Sequence, residues 1–527
     1  MKQGNGQYIV LYPAVLRPPV KPTRSSLQHI LQFFAAYTFF RMAKGQGPAG
    51  LYFDHVYDGS ASGDDIHFIT TMTPVPAEDR KSPVGEPCGR QVFPCSPQFD
   101  MLRHCAAFFF NLSRVIYNMK KDQKVFKLQG KVQHYAWGGS SYIPELLSVA
   151  NPDHQPFAEY WMGAHDNAPA VIETGDGNTV PLNEYIRQQP EGALGSYTMG
   201  RFGRLPYLLK ILDVKDMLSI QVHPTKRNAE LEFAAENKKG VALNAADRNY
   251  KDDNHKPELM LALSEFYLLH GFKPEEDLTR ILHAVPELSF LAPVFARQGY
   301  QELYRTVMEM PQSKVNSVLQ PLLDRILPRY KDEELKKHEE DFWAARAALT
   351  YNEAGRIDRG IFSIYFFNLL NMHPGEAIFQ DAGLPHAYLE GQNVEIMANS
   401  DNVLRGGLTP KHVDVPELLK HVRFEATHPR IIAEDYGPGR IAVFHTPAPD
   451  FELSKLSLLQ GESVTIRAHS MEIFIGLEGK VGVIEPEAAP FSRKRGDAFV
   501  AFHQAKFELK AQEDSVLYRA SVPAGAL

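Results

Sequence analysis

The sequence predicts a mainly β protein, made of jelly-roll or related barrel folds and interrupted by one helical insert. Three observations carry this. Short alternating runs with glycine and proline turns fill the chain from Lys127 to about Phe272. Residues 274–350 then change to helical periodicity. Strand texture returns near Gly375, and from about Arg440 nearly every segment alternates.

Residues 1–118 read poorly as a folded unit. Segment 1–50 has no Asp or Glu, and prolines fall irregularly from Pro13 to Pro97. Apolar clusters such as Leu31–Phe40 and Ala106–Phe110 keep no period. The acid-free start resembles a transit peptide, but serine and arginine are few and Pro18-Pro19 interrupts it. A secretory signal fits less well still, because Tyr8–Leu16 is short and broken by Pro13. We read 1–118 as a poorly structured N-terminal extension outside the functional fold, upstream of a natural start at Met119.

Segment 207–223 looks like two strands around a turn at Lys215-Asp216. Pro274 followed by Glu275-Glu276-Asp277 marks a helix start, where the dipole favours acids. Leu278, Ile281, Leu282 and Val285 repeat behind it at helical spacing. Asp332–Leu349, rich in Glu, Lys and Ala, predicts another helix. Phe451–Leu456 alternates, as does Met471–Ile484 with Gly476 and Gly479 as turn residues.

At ~150 residues per domain, a chain of 527 residues holds about three or four domains. Its net charge of −7 gives no pull toward nucleic acid or an anionic membrane. No run reaches the ~18 apolar residues of a spanning helix. Three cysteines argue against a disulfide framework and suit a reducing compartment, so a cytoplasmic location is expected. All three (Cys88, Cys95, Cys105) precede residue 119, without the spacing of a zinc knuckle. Any metal bound in 119–527 must therefore use nitrogen or oxygen ligands. No Rossmann fingerprint or phosphate-loop motif occurs between a strand and a helix, which leaves nucleotide-dependent chemistry unsupported.

Four segments carry chemistry. In Ser219-Ile220-Gln221-Val222-His223-Pro224, strand alternation points Ser219, Gln221 and His223 one way and Ile220 and Val222 the other. That face offers either two metal donors or a satisfied polar pair. In Asn254-His255-Lys256-Pro257-Glu258, an extended chain puts Lys256 and Glu258 on one face. They form a surface ion pair unless Glu258 enters the core, where it needs a partner or a metal. His386, in Leu384-Pro385-His386-Ala387-Tyr388, is a structural histidine or a further ligand. Around Arg405, the stretch Ser400–Lys411 reads as a tight turn presenting a guanidinium to an anion, or as a solvent-facing loop. Together, two imidazoles, a carboxylate and an amide oxygen make a zinc-type donor set, with Arg405 and Lys411 suited to an anionic substrate.

These segments resemble the type I phosphomannose (mannose-6-phosphate) isomerases, zinc-dependent cupins. Gln133–Gly138, Glu159–His165, Leu218–Pro224, Asn254–Leu259, Pro385–Tyr388 and Asn399–Lys411 match in the family's order, from about residue 125 to the end. The resemblance implies one Zn2+ per chain on Gln221, His223, Glu258 and His386, and an active-site arginine at Arg405. It implies phosphate contacts at Ser219 and Lys411 and pocket positions at Trp137, Lys256, Tyr388 and Glu395. Asp401 and His255 sit beside these.

It also implies a catalytic cupin over 119–272 and 361–428, a helical insert over 273–360, and a C-terminal cupin over 429–527 without metal ligands. His428, His445, His469 and His503 are indeed scattered there. The implied reaction interconverts mannose 6-phosphate and fructose 6-phosphate through a cis-enediol. The expected partner is a small sugar phosphate, with neither nucleic acid nor membrane, and the expected state is a monomer. Glu395, Lys256 and a zinc-bound water are the candidate bases. A cupin oxygenase and a non-catalytic sugar-phosphate sensor are the competing readings.

Overall fold

A computed structural model describes residues 123–523 apart from 175–176, 437–439 and 487, together with the backbone of three earlier strands. Those strands, Tyr8–Ile9, Leu51–Val56 and Ile69–Pro74, form an antiparallel sheet with Ile69–Pro74 in the middle. They belong to a unit Met1–Phe99, distinct from Asp100–Leu527. The rest of the expected extension, with Met119 and the cysteines, lies outside the described residues.

In the larger unit, a ten-stranded sheet is organised around one strand, His386–Ala398. As far as Glu390 this strand pairs with Phe266–Phe272 and, through His386, with Gln221. From Gly391 onward it pairs with Tyr207–Val214 on one side, and from Asn393 with Glu258–Ala262 on the other. One strand thus serves both halves of a sheet folded over an apolar interior that includes Leu212, Met260, Phe266, Leu268, Met372 and Ile378. The change of partner falls at Gly391, whose φ is +129°. A Cβ there would stand 2.6 Å from the Glu265 carbonyl oxygen and from the Phe266 ring. Glycine is the residue that lets the corner close.

The turn expected at Lys215-Asp216 separates Tyr207–Val214 from Gln221–Val222. Ile220 and Val222 pack outward into a core shared with the helical insert, together with Leu269, Phe272, Leu303 and Tyr304. The insert begins with Glu275–Ala284, capped by Pro274 and carrying its three acids in the first turn. Helices Ala292–Met308, Gln312–Lys331 and Glu340–Tyr351 follow.

The helix expected from Asp332 starts at Glu340 instead. The preceding helix runs through Pro328 to Lys331, Glu333 takes φ +57°, and the Glu339 carboxylate accepts the Lys336 N–H at 2.9 Å. The reversal between two packed helices thus overrides the propensity of a Glu/Lys-rich stretch. Helices at Leu182–Gln188, Ser196–Phe202 and Lys226–Lys238 also stand where β texture was expected. The last buries only Ala229, so no apolar stripe announces it.

The C-terminal part pairs a nine-stranded with a four-stranded sheet over Leu456, Phe474, Phe499, Phe507 and Leu517. Val125–Gln129 lies within the nine-stranded sheet, between Ala498–Ala501 and Val171–Glu173. Gly479, with φ +67°, makes the expected turn, whereas Gly476 sits inside Glu472–Glu478 at a bulge.

Gly391→Ala is expected to lower the thermal midpoint clearly below that of Gly240→Ala. Gly240 also has positive φ (+75°) but nothing within 4 Å of an added Cβ. Equal midpoints for the two variants would contradict the steric role assigned to Gly391.

Candidate metal centre and active site

Strand register brings the expected ligands together. Gln221 lies opposite His386 on one side and Arg405 on the other, so these three side chains share a face. His223 follows two residues later on that face. Glu258 opens the strand Glu258–Ala262 and comes within 3.5 Å of His223 Nε2 through Oε1 and 3.3 Å of His386 Nε2 through Oε2. One donor atom from each of the three lies within 4.8 Å of the others. Their exposures are 0%, 3% and 3% for His223, Glu258 and His386, so water does not satisfy them.

The second ring nitrogens fix the tautomers. His223 Nδ1 sits 2.8 Å from the Asn402 carbonyl oxygen, and His386 Nδ1 2.9 Å from that of Leu384. A nitrogen that donates to a carbonyl leaves its ring partner with an exposed lone pair. Neither Nε2 atom has a hydrogen-bond partner. Burial, reinforced by the Lys256 charge, also holds His223 well below the ordinary histidine range, so the ring is neutral. Burial opposes the ionised form of Glu258, but the Lys256 charge beside it lowers its carboxyl well below the ordinary range and keeps the carboxylate charged. Two buried lone pairs and a carboxylate aimed at one point fit a divalent cation with nitrogen and oxygen ligands.

Around this cluster stand the other expected residues. Lys256 is buried, with Nζ 2.7 Å from Glu258 Oε1. Tyr388 is buried edge-on against Phe266, and burial followed by the Glu395 charge pushes its hydroxyl well above the usual range. Glu395 faces Lys210 across the ladder, with Oε1 2.9 Å from Nζ. Burial raises the Glu395 carboxyl, partly offset by Lys210. Trp137 is half-buried against the barrel interior and stacks on Tyr135.

Asp401 lies 3.3 Å from His165 Nε2, which outweighs burial and lowers its carboxyl. Burial lowers Arg405, and burial together with the Arg405 charge lowers Lys411, so the two cations stand close enough to feel one another. Ser219 is half-buried two residues before Gln221. His255 instead bonds the buried Asp450 at 2.9 Å, away from the ligand cluster.

Two residues escaped the reading of the sequence. Lys210 is the one cation in an eight-residue, wholly buried strand that also carries Asp213, and it is held by Glu395, by Glu159 at 3.7 Å and over the Trp161 ring. Its isolation among Leu208, Leu209, Ile211 and Leu212 was the available signal. Asn402 presents the carbonyl that orients His223. Its side chain accepts the Lys251 N–H at 2.7 Å and donates to the Asp252 and Asn254 carbonyls at 2.8 Å, fixing that carbonyl in place.

Such a centre, buried in a jelly roll and built from two histidines and a carboxylate, defines a metal-dependent cupin enzyme. Residues 125–275 match the family model "Phosphomannose isomerase type I, catalytic domain". Mannose-6-phosphate isomerase of Salmonella typhimurium is 37% identical over 382 residues, covering 71% of this chain and 94% of that protein. The Homo sapiens enzyme of that name is 31% identical over 426 residues, covering 75% and 98%. A solved holo mannose 6-phosphate isomerase with zinc bound superposes with a TM-score of 0.68 at 34% identity, covering 76% of this chain and all of that one. The Salmonella typhimurium enzyme bound to substrate (f6p) and zinc superposes at 0.67 with the same coverage. The chain belongs to the type I phosphomannose isomerase family.

Asn402→Ala is expected to weaken zinc binding by ~10–100-fold in competition with a chromogenic chelator, since the His223 orienter loses its anchor. Unchanged affinity would show that the Asn402 side chain does not support the centre.

Proposed function

We propose that this chain interconverts D-mannose 6-phosphate and D-fructose 6-phosphate, moving a proton between C1 and C2 through a cis-enediol. The observation that carries the reading is the convergence of two partnerless, buried imidazole nitrogens on the Glu258 carboxylate. Relatives that the chain matches along nearly their whole length bear this activity in their names.

Gln221, His223, Glu258 and His386 are the ligands of one zinc ion. When bound, zinc supplies Lewis acidity that stabilises negative charge on sugar oxygens without a change of redox state. Arg405, beside Gln221 in the ladder, adds a fixed positive charge at the same place. Lys411 and Ser219 hold the phosphate, so that binding energy remote from C1 and C2 orients the sugar. Glu395 takes the proton. Its buried carboxyl is raised toward working pH, where a carboxylate is a better base. Lys256 already donates to Glu258 and is assigned to steadying the substrate oxygens. Tyr388, Trp137 and Asp401 shape and polarise the pocket.

Residues 119–272 and 361–428 carry this chemistry in our reading. The insert 273–360 backs the ligand strand, 429–527 is a cupin without metal, and 1–118 takes no part. A monomer in the cytoplasm completes the proposal.

A coupled fructose 6-phosphate assay tests the function directly. Activity is expected to vanish on chelation and return with zinc; activity indifferent to chelation overturns the reading. Arg405→Ala is expected to lose about 100–1000-fold in kcat while retaining zinc. Near-normal turnover in that variant removes Arg405 from the mechanism.

A further inference from the structure

We propose that Asp358, at the seam between the helical insert and the barrel, is a positioning residue that sets substrate affinity by holding the loop that carries Lys411. The proposal rests on the reading of Lys411 as a phosphate contact.

Asp358 is buried just before the helix Gly360–Phe366. Its carboxylate accepts three backbone N–H groups. Gly360 donates to Oδ1 at 2.7 Å, Leu408 to Oδ1 at 2.8 Å, and Thr409 to Oδ2 at 3.2 Å. Two of those donors belong to the segment between Arg405 and Lys411. The aspartate is itself anchored, because its own N–H donates to Asn352 Oδ1 at 2.9 Å.

The loop needs such a hold. Gly407 has φ +119°, and Leu408, a residue with a side chain, has φ +54°. A non-glycine residue keeps a left-handed backbone only where its surroundings impose it. The fit is also tight: a Cβ on Gly360 would stand 2.6 Å from the Leu408 nitrogen. On its other side the loop pairs with the ligand strand, Gly406 N–H donating to the Ile220 carbonyl at 2.8 Å and Ile220 N–H to that of Gly407 at 3.1 Å. Beyond Thr409 the chain is held by the Lys411 N–H, which donates to Thr409 Oγ1 at 3.1 Å.

These contacts divide the labour. Arg405 sits in the strand pair with Gln221–Val222 and keeps its place through the ladder. Lys411 lies past the last paired residue, so its position depends on how Leu408 and Thr409 are held. An amide in place of the carboxylate presents N–H toward N–H at one oxygen site, and the loop shifts away. Loss of Asp358 therefore weakens the grip on the phosphate while leaving the reacting carbons and the metal ligands in place.

The test is steady-state kinetics on the zinc-loaded full chain with mannose 6-phosphate, using Asp358→Asn, Gly360→Ala, Lys411→Met and the Asp358→Asn/Lys411→Met double variant. Gly360→Ala keeps the carboxylate and presses directly on Leu408, so it serves if Asp358→Asn folds poorly. Each single variant is expected to raise KM by about tenfold with kcat within about threefold and zinc content unchanged. In the Asp358→Asn background, Lys411→Met should add little, because the lysine is already misplaced. Wild-type KM in both Asp358→Asn and Gly360→Ala overturns the proposal, as does a double variant whose penalties multiply in full. If Lys411→Met alone leaves KM unchanged, the phosphate role of Lys411 falls and the proposal falls with it. Lys411→Met raising KM while the other two do not refutes the positioning role alone.

Discussion

A folded chain tolerates few buried polar atoms without partners, and here two of them point at the same carboxylate. His223 Nε2 and His386 Nε2 are sealed from water, and their Nδ1 atoms are already committed to carbonyls. Leaving such lone pairs empty costs about 1–3 kcal/mol each, and a cation removes that cost. The surrounding architecture serves to make this convergence rigid. Ile220 and Val222 pin the ligand strand to the helical insert, and Gly391 lets one strand place His386 in one half of the sheet and Glu395 in the other.

The same logic separates the two jelly rolls. Among the described residues, the group able to hold a metal is the one formed by His223, Glu258 and His386. In the C-terminal part, His469 and His503 are tied to local partners: His469 to Glu472 and the Val522 carbonyl, His503 Nδ1 to the His469 carbonyl. That half contributes instead to the shared apolar layer, in which Phe444, Leu453 and Ile473 cluster with Leu209 and Ile396. Its sheet also takes in Val125–Gln129, so the two halves share strands as well as a core.

What could be read from the residues follows from how local each signal is. Period-2 alternation in Ser219–His223 needs no distant partner, and its apolar face packs as expected, with Ile220 and Val222 fully buried. Lys256-Pro257-Glu258 was similarly local, and the two charges do meet. His386 is different: its neighbourhood with Gln221 arises from ladder register between segments about 165 residues apart in sequence, which no local pattern encodes. The family resemblance supplied that link. Lys210 and Asn402 were passed over because their roles exist only through Glu395 and His223, and the helix Lys226–Lys238 because it buries almost nothing.

Zinc K-edge X-ray absorption on the metal-loaded full chain addresses the centre most directly. The expected spectrum is one zinc per chain in a nitrogen/oxygen shell at ~2.0–2.2 Å with two imidazole rings, falling to one ring in His386→Ala. Sulfur scattering, a second metal, or an unchanged imidazole count in that variant would contradict the site as built here.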